Sequence, residues 1–391
     1  MDALTLTTSC HGTIDELGAA AWNALAHEGV PFLRHEFLAA LEHSGAVGPA
    51  RGWQPLHIAV RAGDALLGAL PLYSKSHSWG EFVFDFSWAQ AFERYGLRYY
   101  PKLVAATPFT PACGPRFLVH PGADRERVAA ALLEGARALL AEHSSLHVQF
   151  PTPAEGAWLE RAGFWPRLDC QFQWANRGYH DFDEFLAGFT AEKRKKAKRE
   201  RRRISEAGIR FEWRAGGELG PALWREVYAL HADTFHRHGH EPYLELAFFT
   251  ELSHTLPGQP LVLLARHGGT LVAAAIFFRG AEALYGRYWG ARGDFHSLHF
   301  EACYHQGIDY CIREGLARFE PGTQGEHKIA RGFVPTLTHS AHLIREPRFH
   351  AAIGRFLADE RAAVRAYATE AGQHVPYRAH ERALTLPPET P

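Results

Sequence analysis

The chain has 391 residues and a net charge of −1 at pH 7; 46% of its residues are apolar and 22% are charged. This balance indicates a soluble, globular protein that is long enough for two domains of ordinary size. No apolar run approaches the length of about 18 residues that a membrane helix needs, and the first residues lack the basic and apolar regions of a secretory signal. We therefore expect a cytoplasmic protein.

The cysteines give no sign of a metal or redox site. There are five of them, an odd number, and none shows the CxxC spacing of structural zinc sites or redox pairs. We expect reduced, mostly buried thiols and no bound metal.

The first predicted elements are a β-hairpin and the segments that follow it. Residues 57–73 (HIAVRAGDALLGALPLY) alternate around a Gly-containing turn, as hairpins do. After them we predict a β-like aromatic run at 80–89 (GEFVFDFSWA), a helix at 125–143 and a strand at 145–151.

A highly basic helix is predicted at 190–207, after a seam within residues 151–180. Thr190 is a candidate N-cap and Gly208 a stop signal, and only Ala197 and Ile204 suggest a buried side. Residues 193–203 carry a charge of +8, so the other 380 residues sum to −9. The dense charge favours binding to a polyanion, although a solvated helix face would also explain it. The candidate residues are Lys193, Arg194, Lys195, Lys196, Lys198, Arg199, Arg201, Arg202 and Arg203.

The second half repeats the order of the first. Residues 262–278 (VLLARHGGTLVAAAIFF) align with the first hairpin without a gap. A β-like run at 283–290 (ALYGRYWG), a helix at 298–315 and a strand at 317–321 follow. This repetition predicts a duplicated α/β domain, with one copy in 1–165, the other in 166–383 and a disordered tail at 384–391. The identical pairs in the two hairpins are Arg61/Arg266, Gly63/Gly268, Leu66/Leu271 and Ala69/Ala274.

This layout resembles the GNAT acyltransferase fold, and two copies in tandem resemble its FemAB-like branch. Within that branch the sequence is similar to a bacterial family of peptidoglycan biosynthesis or recognition proteins. The segments that carry the similarity are PLYSKSHSWGEFVFDFSWA (71–89), YYPKLVAATPFTPACGPR (99–116), KRKKAKRERRR (193–203), LYGRYWG (284–290), LHFEACYHQGIDY (298–310) and FEPGTQGEHKIARGFVPTLTHSAH (319–342).

The resemblance implies tandem GNAT-like domains and an N-acyltransferase. Such an enzyme would transfer an acyl or aminoacyl group from acyl-CoA or aminoacyl-tRNA to an amine on a small molecule or peptide. The sequence departs from the GNAT phosphate signature at Arg292, where that signature has Gly or Ala. Arg292 would either crowd a pyrophosphate or contact a phosphate through its side chain. The departure disfavours simple use of acetyl-CoA, and the basic helix favours tRNA.

The second copy holds most of the candidate site residues. Alternation along the strand at 284–290 predicts Tyr285, Arg287 and Trp289 on one face, where they would bind substrate together with Arg292. Gly286 and Gly290 would either make room for a ligand or relieve crowding within the sheet.

The next helix contributes Glu301 and His305, which are four residues apart. On one helix face they could act as a base and its orienting partner, or simply form a solvated pair. Ser297 is the candidate N-cap of this helix.

Polar groups are densest in the strand and loop at 319–333 (FEPGTQGEHKIARGF). The carboxyl ends of parallel strands border ligand clefts, so we expect these side chains to line one. Glu326 or His327 would act as the base, and the expected substrate-binding residues are Glu320, Gln324, Lys328 and Arg331. A purely structural polar turn is the alternative.

In the first copy, the candidates for recognising the acceptor are Asp85, Tyr99, Lys102 and Arg116, unless they belong to a structural core. For the whole chain the rival to an enzyme is a non-catalytic module that binds RNA or a cell-wall precursor. The concentration of titratable groups in 320–331 favours the enzyme. A metal hydrolase would need a ligand pattern that the spacing of the histidines does not provide.

Overall fold

The structure is a computed structural model that describes residues 5–25, 29–293, 295–323 and 325–385. The described residues fall into two compact units, unit 1 within 1–169 and 338–364 and unit 2 within 170–337 and 365–391. The predicted domains follow chain order, whereas unit 1 also takes in residues 338–364. No helix of the described residues is long and apolar enough to cross a membrane.

The strands are β1 (Thr7–His11), β2 (Trp53–Pro55), β3 (His57–Ala62), β4 (Ala65–Leu70), β5 (Leu72–Lys75), β6 (Lys102–Ala105), β7 (Leu118–Val119), β8 (Ser145–Gln149), β9 (Trp165–Ala175), β10 (Ile209–Ala215), β11 (Pro260–His267), β12 (Thr270–Arg279), β13 (Ala283–Ala291), β14 (Arg318–Glu320) and β15 (Val334–Ile344). The helices are α1 (Ala19–Asn23), α2 (His35–His43), α3 (Phe86–Arg94), α4 (Arg125–Ala138), α5 (Pro153–Arg161), α6 (Phe182–Ala187), α7 (Ala191–Glu206), α8 (Pro221–Arg237), α9 (Leu246–Thr255), α10 (Leu298–Phe300), α11 (Gln306–Arg313), α12 (Pro347–Gln373) and α13 (Ala379–Thr385).

Unit 1 is built on two groups of strands, in the orders β1-β3-β4-β7 and β15-β8-β6-β5-β2. Its core lies under α4, whose apolar residues recur with the helical period. Val128, Leu132, Leu133 and Ala136 are all buried in one cluster with residues of β3 and β8. The Asp124 side chain caps this helix by accepting a hydrogen bond from the Arg127 amide.

Unit 2 has the strand order β10-β11-β12-β13-β14-β9. Neighbouring strands are antiparallel except β13 and β14, which run parallel. The main core cluster joins β12, β13 and β14 to α6, α7 and α11. The mixed sheet with helix α11 between its parallel strands is the arrangement that the sequence predicts.

Both predicted hairpins are confirmed, and they are alike in detail. Each has a register shift at the same aligned arginine, Arg61 in the β3–β4 pair and Arg266 in the β11–β12 pair. Each guanidinium donates to a carbonyl of its own turn, that of Asp64 at 2.8 Å and that of Gly269 at 3.1 Å. The sequence repeat is therefore also a repeat of backbone geometry.

Two predicted segments are wrong. The β-like run at 80–89 is not a strand: residues 80–85 are irregular, and α3 begins at Phe86. Of its alternating aromatics, Phe82 and Phe84 lie on the loop, where Phe82 has a positive φ of 59°, and Phe86 and Trp88 lie in α3. The predicted tail also begins too early, because α13 extends to Thr385; residues 386–391 lie outside the described residues.

Candidate active site

The parallel strands β13 and β14 separate in the middle of unit 2. Only three residues of each strand are paired: Ala283–Tyr285 of β13 pairs with Arg318–Glu320 of β14. Beyond this point β14 ends, while β13 continues to Ala291. The carboxyl end of β14 and the second half of β13 therefore border an opening in the sheet, which is where α/β folds place ligands.

A β-bulge at Arg287 changes which residues of β13 share a face. The register with β12 shifts there, so that Ile276 pairs with Tyr288 but Phe277 pairs with Gly286. After the bulge, Trp289 packs against the same core cluster as Leu284. Leu284 precedes Tyr285 on the strand and therefore lies on the opposite face from it. The predicted shared face of Tyr285, Arg287 and Trp289 is therefore wrong, because the bulge interrupts the strict alternation on which it rested.

Tyr288 faces helices α8 and α9 instead. Its ring centroid lies 4.7 Å from that of His231 and 5.9 Å from that of Phe249. Gly290 lies on the same side: a Cβ at this position would be 2.0 Å from the Leu230 carbonyl oxygen. Gly290 is thus required by the close approach of α8 rather than by a ligand, and Arg292 follows it on an exposed turn.

The polar stretch after β14 folds into a tight 3-10 turn, Glu326–Arg331, between two glycines with positive φ, Gly325 at 98° and Gly332 at 94°. The turn buries Lys328 and Arg331 and leaves Glu326 and His327 exposed. Gln324 lies outside the described residues.

Lys328 is the most unusual group of this turn. Its side chain is buried, and its ammonium group donates to the Gly322 carbonyl at 2.5 Å. Gly322 in turn abuts β13, since a Cβ at Gly322 would lie 3.5 Å from the Gly286 carbonyl oxygen. Lys328 is thereby placed beside the opening between the strands. Burial lowers the pKa of Lys328 to about 7, only partly offset by Cys303.

His327 is held by the neighbouring helix. Its Nε2 lies 2.7 Å from the Tyr304 hydroxyl, and its backbone carbonyl accepts a hydrogen bond from Arg331 at 2.7 Å. Partial burial, and then the positive charges of Lys328 and Arg331, lower the pKa of His327. The imidazole is therefore neutral, and able to accept a proton, at neutral pH.

Glu326 and Glu320 are held by separate partners. The Glu326 carboxylate accepts a hydrogen bond from Tyr367 at 2.7 Å and lines a cavity of about 330 Å³ with residues of α12. Glu320 is buried and accepts from Arg318 at 3.0 Å, and Arg318 also donates to the Tyr285 hydroxyl at 3.2 Å. Arg318 was not predicted from the sequence; the available signal was its position two residues before Glu320, on the same strand face.

The predicted pair of Glu301 and His305 does not form. Both side chains are buried, and residues 301–305 form a π-helical turn between α10 and α11. Glu301 accepts from Arg201 at 3.2 Å and from Gln306 at 2.8 Å, whereas His305 Nε2 lies 3.3 Å from Glu200. The two residues thus connect the π-turn to the basic helix α7. π-helical turns are frequent at functional sites. Ser297 precedes α10 with a φ of 70° and makes no side-chain cap.

Glu200 joins three elements and was not selected from the sequence. One of its carboxylate oxygens accepts from Arg331 at 2.8 Å, and the other lies against His305. Burial alone would raise the pKa of Glu200, but the His305 hydrogen bond and the Arg331 charge outweigh it and lower the pKa. The available signal was its place as the single acid of the basic run, between Ala197 and Ile204 on the buried seam.

The basic helix α7 has an inner and an outer face. Arg201 belongs to the inner face: it pairs with Glu301 and Asp309 and stacks 4.1 Å from the Phe182 ring. Lys193 and Arg194 are half-buried. The exposed cations of the outer face are Lys195, Lys196, Lys198, Arg199, Arg202 and Arg203, of which Lys198 pairs with Asp183 and Arg202 with Glu206.

In unit 1 the four candidate acceptor residues are buried inside the protein. Lys102 donates to Ser78, Glu81 and Asp85 at 2.9, 2.9 and 2.5 Å, which uses its three protons, and Tyr99 donates to Asp85 at 2.5 Å. The Arg116 guanidinium donates to the backbone carbonyls of residues 112, 114, 115 and 149. These networks brace the loops of unit 1.

Metal ligands are not grouped in the part of the chain that the structure describes: no three His, Cys, Asp or Glu side chains could hold an ion together.

Comparison with solved structures defines the fold class. FemX is 12% identical, with 90% of this chain and 100% of FemX covered and a TM-score of 0.53. The C-terminal DUF2156 domain of a putative lysylphosphatidylglycerol synthetase from Agrobacterium fabrum is 9% identical, with 87% and 96% covered and a TM-score of 0.54. A tandem GNAT protein from the clavulanic acid biosynthesis pathway is 13% identical, with 87% and 98% covered and a TM-score of 0.46. The likeness to FemX and to the DUF2156 domain, each with a TM-score above 0.5, shows that the chain shares their fold, and the predicted class of tandem GNAT-like domains is confirmed.

The family follows from the sequence itself. The model of the FemAB-like family, described as peptidoglycan biosynthesis/recognition, matches residues 13–379. This chain therefore belongs to the FemAB-like family, which confirms the resemblance found in its motifs. Among curated proteins none matches the sequence.

Proposed function

We propose that this protein is an N-acyltransferase that joins an activated acyl or aminoacyl group to the amine of a small molecule or peptide. The observation that carries the proposal is the position of Lys328, buried beside the opening between β13 and β14 with His327 next to it. Membership of the FemAB-like family supports the same class of reaction.

His327 is the proposed base. It is exposed, it is oriented by Tyr304, and its lowered pKa keeps it neutral near pH 7. The amine nitrogen attacks the acyl carbonyl, His327 takes the proton that the nitrogen loses, and the thioester or ester bond to the donor breaks. The departing thiolate or alkoxide then takes up a proton.

Lys328 is the proposed donor to the negative charge that develops on the carbonyl oxygen. A protonated lysine in a dry site stabilises such an oxyanion strongly, because little water competes for the charge. With a pKa of about 7, Lys328 is protonated in a substantial fraction of molecules at neutral pH.

Glu301, His305 and Glu200 are proposed to act as positioning residues. They fix α7 to the π-turn, and Glu200 also fixes Arg331, whose guanidinium holds the His327 carbonyl. The proposed substrate contacts are Arg287 and Glu320 at the opening, with Arg292 at the end of β13. Glu326, at its separate cavity, is the alternative base.

The donor is proposed to be a polyanion, either acyl-CoA or aminoacyl-tRNA, bound in part by the outer face of α7. Six exposed cations on one helix suit the spaced phosphates of RNA and would give a binding affinity that falls steeply with salt. We place aminoacyl-tRNA first for this reason.

Donor discharge tests the proposal. Total tRNA charged with labelled amino acids, and separately acetyl-CoA, would be incubated with the protein and a lysine-containing peptide at low salt. We expect loss of label from tRNA that depends on the peptide and on Lys328. Thiol release from acetyl-CoA alone would identify the CoA enzyme. Tight binding of tRNA without discharge for any amine would contradict the enzyme and favour the binding module.

A further inference from the structure

Unit 1 exposes a group of large aromatic side chains around helix α3. Trp79 and Phe84 are each 57% exposed, Tyr95 is 78% exposed, and Phe356 of α12 is 49% exposed. Scattered exposed apolar residues are normal, but a contiguous patch marks an interaction surface.

The exposed rings are connected through contacts at both ends of α3. At its start, the Phe86 ring centroid lies 5.2 Å from that of Trp79 and 6.0 Å from that of Phe84. At its end, the Tyr95 ring stands perpendicular to that of Phe349, with centroids 5.7 Å apart. Exposed aromatic rings therefore lie at both ends of the helix.

Between α3 and α12 the patch deepens into a groove of about 520 Å³. Trp88, Tyr95, Phe349, Ile353 and Phe356 line it, and Arg348 is its one charged lining residue. The volume is that of a small-molecule site, and the lining is mostly apolar.

The charges around this face are mainly positive. The exposed or half-exposed charged residues of segments 84–98 and 345–356 are Arg94, Arg98, Arg345, Arg348, Arg355, Glu93 and Glu346. They sum to +3, and the next turn of α12, with Asp359, Glu360 and Arg361, brings the sum to +2 in a chain whose net charge is −1. Arg348 pairs with Glu346 at 2.9 Å, but its side chain is 83% exposed, so that water screens the pair and an anionic group can compete for the arginine.

We propose that this aromatic face docks on the anionic surface of a lipid bilayer, with a lipid acyl chain in the groove. Trp and Tyr favour the boundary between apolar chains and headgroups, and arginines beside them attract anionic lipids. The combination of exposed rings, an apolar groove and surrounding positive charge fits this partner better than a second copy of the chain, whose arginines would repel those of the first. The proposal does not depend on the proposed function.

Vesicle co-sedimentation of the full chain tests the inference. The probes are vesicles of phosphatidylcholine alone and of phosphatidylcholine mixed with phosphatidylglycerol. We expect binding to the mixed vesicles and a partition coefficient at least about tenfold lower for Tyr95→Ser combined with Phe356→Ser. Arg94→Gln combined with Arg98→Gln should reduce binding to the mixed vesicles only.

Tyr243→Ser is the matched control, since Tyr243 is 37% exposed and lies in unit 2. Circular dichroism should show that all variants are folded. Absence of binding to either vesicle, or binding unchanged in the aromatic variant, would overturn the inference. So would a wild-type dimer in sedimentation velocity that the aromatic variant converts to a monomer.

Discussion

Glu200 accepts a hydrogen bond from Arg331 at 2.8 Å, which connects the only acid of the basic run to the last residue of the candidate catalytic turn. Arg331 also lies 3.6 Å from the centroid of the Phe300 ring and donates to the His327 carbonyl. The helix proposed to bind the donor and the turn proposed to perform the chemistry therefore share a buried ion pair.

Glu200→Gln should loosen this connection. It leaves Arg331 and His305 without their negative partner, and we expect a loss of about 2 kcal/mol in the free energy of unfolding, measured by urea denaturation. Glu206→Gln is the control, because Glu206 lies on the same helix with its side chain 66% exposed. An equal effect of both changes would contradict a special role for Glu200.

The stabilisation by Glu200 should depend on pH. Its carboxyl pKa is lower in the folded chain than its ordinary value of 4.5, so the unfolded state binds the proton more tightly. The contribution is therefore present above about pH 4.5 and is lost as the pH falls through the folded pKa. In urea titrations, the stability difference between wild type and Glu200→Gln should shrink below pH 4.5; a constant difference would argue against the charge.

The rate of transfer should have a narrow pH optimum. It should rise as His327 loses its proton, below the ordinary pKa of 6.5, and fall as Lys328 loses its own near pH 7. Lys328→Arg keeps the positive charge at all these pH values and should remove the alkaline fall. An alkaline fall that persists in this variant would assign it to another group.

The outer face of α7 should account for the salt dependence of donor binding. Replacing Lys195, Lys196 and Arg199 by Gln should reduce the slope of log K against log salt by about 2 to 3 in filter binding of tRNA. Arg201→Gln is the comparison, since that guanidinium is engaged by Glu301 and Asp309. It should lower stability and leave the slope unchanged.

Gly290→Ala should destabilise unit 2 severely. The added methyl group would lie 2.0 Å from the Leu230 carbonyl oxygen, and α8 would have to move, at a cost of about 3 kcal/mol. Gly258→Ala adds a methyl group to open space and should change stability by less than about 0.5 kcal/mol. Thermal unfolding of the two variants compares them directly.

Local patterns in the sequence were enough for the hairpins, for α7 and for β13, because alternation, helical period and turn glycines act over a few residues. They failed where contacts between residues far apart in the sequence determine the structure. The bulge at Arg287 depends on pairing with β12, and residues 338–364 join unit 1 because β15 pairs with β8, as Ser340 does with Gln149.

The sequence predicted which residues belong to the candidate site better than it predicted the role of each. Glu326, His327, Lys328 and Arg331 do lie in one turn, whereas Glu320 ends β14. Which of them are buried depends on partners far away in sequence, such as Glu200 for Arg331. The aromatic run at 80–89 misled for a related reason. Its apolar residues recur with the period of two that is typical of a strand. A contact with a distant residue, between Asp85 and the buried Lys102, holds the segment in an irregular conformation instead.

The most direct measurement is the mass of the product formed from labelled aminoacyl-tRNA and a lysine-containing peptide, with wild type and Lys328→Met compared. We predict a peptide heavier by one aminoacyl residue, linked through an amide, from the wild type and none from the variant, whose affinity for tRNA should be unchanged. Equal amounts of product from both proteins would contradict the assignment of the site to this turn.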